Sequence, residues 1–147
     1  MEYEQLKLKN QLCFPVYAAS RLIIREYQPF LDKLGITYPQ YLVLMVLWET
    51  DEITVNEIAK KLILNTNTVT PLLKRMESLD IVTRERSSSD ERKVVIRLTE
   101  KGKEMREAAC LIPQQLVEKI NANSLDINRL IELKNSLTIL IDALNKE

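Results

Sequence analysis

Between Leu6 and Leu34 the apolar residues recur at the three- and four-residue intervals of a helix: Leu8, Leu12, Tyr17, Ile23, Ile24, Tyr27, Leu31 and Leu34. Pro15 and Pro29 interrupt this stretch and are expected to bend or break it, because each removes a backbone donor. Gly35 ends the segment. Thr37-Tyr38-Pro39, with Pro39 in a first-turn position, opens a second apolar helix that runs to Trp48. The β-branched fragment Ile53-Thr54-Val55 then leads into a short helix over NEIAKKLIL, with Ile58, Ala59 and Leu62 on one face. Asn65-Thr66 offers polar capping chemistry to a further helix, Asn67 to Leu79, whose inner face carries Val69, Leu72, Leu73 and Met76.

The period then changes. Ile81 to Arg86 and Lys93 to Leu98 are β-type runs, and the polar SSSDER between them predicts a hairpin tip. Thr99 caps a return to helix from Glu100, which Pro113 is expected to kink. Ser124 or Asp126 opens a last amphipathic helix bearing Ile127, Leu130, Ile131, Leu133, Leu137, Ile141 and Leu144. This order predicts a mainly α fold with a small β wing: a winged helix-turn-helix core between long helices. The terminal helices carry more apolar surface than a small winged core can cover, so they are assigned to dimerisation. The expected division is a helical dimerisation region over 1–36 and 101–147, and a DNA-binding winged helix-turn-helix over 37–100.

Composition narrows the chemistry. The chain of 147 residues is 46% apolar and 29% charged, enough to bury one core. It has no His, which removes Ser-His-Asp and Cys-His nucleophile pairs and any His-bearing zinc site. Its two glycines, Gly35 and Gly102, cannot build a phosphate loop or a dinucleotide fingerprint. The two cysteines, 97 residues apart, do not make a disulfide scaffold. No signal peptide and no apolar run near the ~20 residues of a membrane span are visible, so a soluble cytoplasmic protein with no cofactor is expected.

Formal net charge is zero, so charge over the whole chain points to no partner. Placement says more. The second helix of a helix-turn-helix reads the major groove and needs small polar groups near its start, with cations where phosphates pass. Asn65, Thr66, Asn67, Thr68, Thr70 and Pro71 meet the first demand, and Lys74 and Arg75 the second. From Lys74 to Arg97 seven basic residues face five acidic ones. Arg84 and Arg86 lie on the first wing run. Arg92 sits at the hairpin tip, placed for a minor groove, with Asp90 two residues earlier to orient its guanidinium. The plainer alternatives are a simple helix cap and a solvated turn.

The segments TYPQYLVLMVLW (37–48), LILNTNTVTPLLKRME (62–77) and RERSSSDERKVVIRLTEKG (84–102) resemble the MarR family of dimeric winged-helix transcription factors. With NQLCF (10–14), the TYPQY segment resembles the organic hydroperoxide resistance repressor group within it. The resemblance implies that the Asn67 helix enters the major groove and that Arg92 of the Asp-x-Arg wing enters the minor groove. Where this group usually reads Asp-Ser-Gly-Thr, the chain has Asn65-Thr66-Asn67-Thr68, which bears on the operator it prefers.

By composition alone Cys13, among Leu12, Phe14 and Tyr17, reads as a small buried hydrophobe. The resemblance instead implies a redox-sensing thiol, hydrogen-bonded across a dimer interface by Tyr27 and Tyr38, with Tyr17 a nearby third aromatic. Pro15 departs from the apolar residue expected after Phe14. Cys110 is expected to be a buried structural residue, with a role as second thiol the alternative. The expected function is a repressor that holds a pseudo-palindromic duplex operator as a homodimer. It releases the operator when an organic hydroperoxide oxidises Cys13, after which a small thiol captures the sulfur. A broader MarR-type regulator of virulence or biofilm, or one responding to a small phenolic effector, is an alternative. A Cys13 thiol peroxidase is a more distant one.

Overall fold

The computed structural model describes residues 3–121 and 126–145. It divides into two compact units, Met1–Cys110 and Leu111–Glu147. Among the described residues of the first unit, two single 3-10 turns, Glu4–Leu6 and Leu8–Asn10, precede α1 (Cys13–Leu34) and α2 (Tyr38–Glu49). The short strand β1 (Ile53–Thr54) leads into α3 (Val55–Leu62) and α4 (Thr66–Ser78). A hairpin of β2 (Val82–Arg86) and β3 (Val94–Leu98) returns to α5 (Glu100–Ala109). The second unit holds α6 (Ile112–Asn121) and α7 (Ile127–Leu144). The predicted winged helix-turn-helix is the fold observed.

Helix α2 is the central post of the first unit. Tyr41, Val43, Leu44, Val46 and Leu47 are buried along it, each large apolar side chain contributing about 1.5–3 kcal/mol by leaving water. Its start is locked by Thr37, whose backbone N–H donates to Gln40 Oε1 at 2.8 Å, a reciprocal cap that also explains why polar Gln40 is buried. Ile58 of α3 and Val69, Leu73 and Met76 of α4 are fully enclosed. β3 is the middle strand, pairing Ile53 with Ile96 on one side and Val82 with Leu98 on the other, so the wing is stitched to the core at its base.

Three prolines behave differently from expectation. α1 runs unbroken through both Pro15 and Pro29. Pro15 falls in the first turn, where no intrahelical donor is needed. Pro29 lies inside the helix, between Tyr27, whose ring meets Tyr38, and buried Leu31. At Pro113 the expected kink is a full break: α5 ends at Ala109, and α6 starts at Ile112 with Pro113 in its first turn. Gly35 does stop α1, at φ 67°, with Ile36 N–H closing onto the Leu31 carbonyl at 3.1 Å. Asp126 caps α7 through Asn128 N–H; Ser124, the other expected cap, lies outside the described residues.

Two helices stay largely uncovered within this chain. α1 buries only Leu31 and exposes Phe14, Tyr17 and Leu22, among others. In the second unit α7 buries nothing, and leaves Ile139 and Leu144 at 70% and 77% exposure.

Candidate nucleic-acid interface and thiol site

The α3–α4 pair forms the helix-turn-helix. Thr54 caps α3 through a reciprocal bond with Glu57, whose carboxylate accepts from Thr54 N–H at 2.8 Å. These hydrogen bonds hold the Glu57 carboxyl below its ordinary value. The Thr-x-x-Glu signature was there in the sequence to be read, yet this cap was not anticipated. Asn65 occupies the cap position of α4, its carbonyl accepting from Thr68 N–H at 2.9 Å and Val69 N–H at 3.1 Å. Its side chain, contrary to expectation, makes no cap bond and stays at the surface. Val69, Leu73 and Met76 anchor the inner face of α4, so Thr66, Asn67, Thr68, Pro71, Lys74 and Arg75 are turned to solvent and Thr70 is half-buried.

The wing tip is set by backbone bonds: Ser87 N–H donates to the Lys93 carbonyl at 2.8 Å and Lys93 N–H to the Asp90 carbonyl at 2.9 Å. Asp90 orients Arg92 through the main chain, accepting its backbone N–H at 3.1 Å rather than its guanidinium. The Arg92 side chain is exposed, as is Arg86 at the end of β2. Arg84 is placed differently. It is half-buried, its Nη1 lies 3.3 Å from Glu77 Oε2 on α4, and its Nε is enclosed with no hydrogen-bond partner.

A cleft of about 200 Å³ joins these parts, with Thr66 and Thr70 of α4 facing Arg84 and Arg92 of the hairpin. Asn56 of α3 and Lys93 also line it. Neither was singled out from the sequence as a site residue. The signal for Lys93 was its place beside Arg92; for Asn56 it was its place in the first turn of the helix preceding the reader.

The thiol and its expected partners lie apart within one chain. Cys13 is the first residue of α1 and is exposed. Tyr17 is also exposed, with the Arg21 guanidinium 5.6 Å above its ring. Tyr27 and Tyr38 do meet, with ring centroids 5.1 Å apart. Tyr41 joins them at 5.8 Å from Tyr27 and 6.4 Å from Tyr38, and Trp48 meets Tyr41 edge-on at 6.2 Å. Tyr41 and Trp48 were not anticipated as members of this cluster. Burial, with Tyr38 and Tyr41 adding to it, pushes the Tyr27 hydroxyl up to about 12; Tyr38 and Tyr41 are raised by burial as well. All three are therefore neutral hydroxyls, able to donate, at any physiological pH.

Cys110 is exposed, which corrects the expectation of a buried packing residue. α5 buries Gly102, Met105 and Ala109 at three- and four-residue spacing, and Cys110 falls one residue off that stripe. Its thiol donates to the Glu107 carbonyl at 3.0 Å. Among the described residues no group of three His, Cys, Asp or Glu could hold a metal ion, and no helix is long and apolar enough to cross a membrane.

Comparison with known proteins gives a consistent result. A family model described as transcriptional regulator SarA/Rot matches residues 25–108. The organic hydroperoxide resistance transcriptional regulator of Bacillus subtilis (strain 168) is 43% identical over 146 residues, covering 99% of this chain and 97% of that protein. The solved structure of reduced AbfR bound to DNA matches at TM-score 0.72 and 42% identity, over 95% of this chain and 98% of that one. Disulfide-formed AbfR matches at TM-score 0.66 and 40% identity, over 95% of each chain. AbfR is a Staphylococcus epidermidis protein.

Proposed function

Since this chain belongs to the SarA/Rot group of MarR-type winged-helix regulators, and so is a DNA-binding transcriptional regulator rather than an enzyme, we propose that it is a homodimeric repressor released from its operator by oxidation of Cys13. Two recognition helices and two wings hold a pseudo-palindromic duplex whose half-sites are spaced by about 34 Å, one helical turn. The uncovered apolar residues of α1 and α7 support a dimerisation region over 1–36 and 101–147, beside a reader over 37–100.

One observation carries the redox reading. Tyr27 and Tyr38 are paired and protonated, while Cys13 lies 14 residues earlier on the same helix. At the helical rise, that separation is about 21 Å. The tyrosine hydroxyls can therefore meet a Cys13 thiolate only if it comes from a second copy. This supports a sensor at the interface of the proposed dimer, where a polar change on sulfur alters the spacing of the two readers. The AbfR structures, solved reduced on DNA and with a disulfide formed, support a redox-linked state in a relative.

The hydroperoxide is the oxidant: the Cys13 thiolate attacks its terminal oxygen, the O–O bond breaks, the alkoxide leaves and takes a proton from solvent to become the alcohol, and sulfenic acid remains. A small thiol then forms a mixed disulfide and releases water; the exposed Cys110 is the alternative captor. Intact-mass analysis with peptide mapping after one equivalent of cumene hydroperoxide and cysteine tests the order of events. The adduct is expected on Cys13, in a protein that has lost its duplex. An adduct confined to Cys110, or a Cys13 adduct with binding intact, would overturn the proposal.

A further inference from the structure

Resting on the redox reading and deepening it, we infer that Trp48 is a positioning residue. Its indole N–H, seated on the Gly102 carbonyl, carries displacement of the tyrosine cluster to the end of the recognition helix.

The contacts form an unbroken series inside the unit Met1–Cys110. Tyr27 of α1 lies against Tyr41 of α2, and Tyr41 meets Trp48 edge-on, with the rings at 70°. Trp48 Nε1 donates to the Gly102 carbonyl at 2.9 Å. The indole is half-buried, and the acceptor of its N–H lies in the first turn of α5, 54 residues along the chain. Gly102 is itself pressed against the chain leaving α4: a Cβ there would sit 2.2 Å from the Ile81 carbonyl oxygen. The same turn of α5 grips the segment between α4 and β2. Thr99 Oγ1 donates to the Asp80 carbonyl at 2.7 Å, and Lys101 Nζ donates to the Leu79 carbonyl at 2.6 Å.

Tyr41 and Gly102, the inner members of this series, are buried. Protein interiors are close-packed and have little compressibility, so a shift at one end is passed on rather than absorbed. Moving Tyr27 and Tyr41 moves the Trp48 ring, and the N–H bond draws the first turn of α5 with it. That turn fixes where α4 ends and where the wing begins. Both DNA-contacting elements are therefore pinned by one joint on the side of the thiol-facing tyrosines.

Trp48 is the single tryptophan of the sequence, so its emission reports on this joint. The test follows duplex affinity of the full-length protein, reduced and after cumene hydroperoxide with cysteine, for wild type, Trp48→Phe and Cys13→Ser, and tryptophan emission for wild type and Cys13→Ser. Oxidation should shift the emission of wild type and leave Cys13→Ser unchanged. Trp48→Phe keeps a ring but loses the N–H. Whatever its affinity when reduced, the ratio of its oxidised to its reduced dissociation constant should be roughly five-fold smaller than that of wild type. Two results would overturn the inference while leaving the redox reading standing: oxidised wild type releasing duplex with unchanged emission, or Trp48→Phe responding as fully as wild type. If oxidation releases duplex from no variant, the redox reading fails and this inference with it. Should Trp48→Phe not bind even when reduced, the wild-type emission decides alone.

Discussion

Arg84 and Arg92 belong to one hairpin and have opposite surroundings. Arg92 stands exposed at a tip whose backbone is fixed by Asp90. Arg84 is turned inward against Glu77, bracing the wing on the recognition helix while lining the same cleft. Arg92→Ala should weaken operator binding by roughly 5- to 100-fold at physiological salt, without altering thermal unfolding. Arg84→Gln should lower the melting temperature together with affinity. Anisotropy with a labelled duplex, beside thermal melts, separates the two roles. The tyrosines make a pH prediction. In the folded chain Tyr27 keeps its proton to about 12, whereas in the unfolded chain it loses it near 10.0. The unfolded state thus binds fewer protons between those values, so stability is full below pH 10 and falls as pH rises toward 12. Urea unfolding of wild type and Tyr27→Phe across that window should show the shallower decline in the variant; equal slopes would count against the burial of this hydroxyl.

Among the elements, the turn between α3 and α4 carries visible strain. Ile63, β-branched and more than half exposed, sits at φ 55° so that Leu64 N–H can close α3 onto the Ala59 carbonyl at 2.9 Å. A left-handed conformation costs such a residue about 1–2 kcal/mol, and Asn adopts it more readily. Ile63→Asn should raise the unfolding free energy by about 1 kcal/mol in denaturant titration, with the fold unchanged. Most elements here were legible because their signals are local: Thr37 and Thr99 as caps, Gly35 as a stop, and period-2 runs around SSSDER. The prolines of α1 were misjudged because tolerance depends on position in the helix and on packing, which spacing alone does not reveal. Cys110 was misjudged because one residue of phase on α5 decides burial, and helix phase follows from the tertiary contact of Gly102 rather than from α5 itself. Of the residues proposed from the sequence, Arg92 and Asn67 are exposed, and Tyr27 and Tyr38 meet. Asn56, Tyr41 and Trp48 come beside them only because folding brings together helices that the sequence holds apart.

At the scale of the molecule, zero net charge conceals a local division of labour. Cations cluster on the reader and wing, while α1 and α7 present apolar side chains that one chain leaves in water. In the proposed homodimer a second copy would cover these helix faces and bring a Cys13 to each tyrosine cluster, so that dimerisation and sensing would be the same structural event. In that proposal the reduced dimer is the DNA-competent state, and oxidation disfavours it by the difference in stability of the two interface chemistries. The most direct test is the dissociation constant for an operator duplex of wild type, Cys13→Ser and Cys110→Ser, each reduced and after stoichiometric cumene hydroperoxide with a small thiol. Oxidation should weaken wild type and Cys110→Ser by roughly tenfold or more and leave Cys13→Ser unchanged. Equal responses of wild type and Cys13→Ser, or no response in wild type, would contradict it.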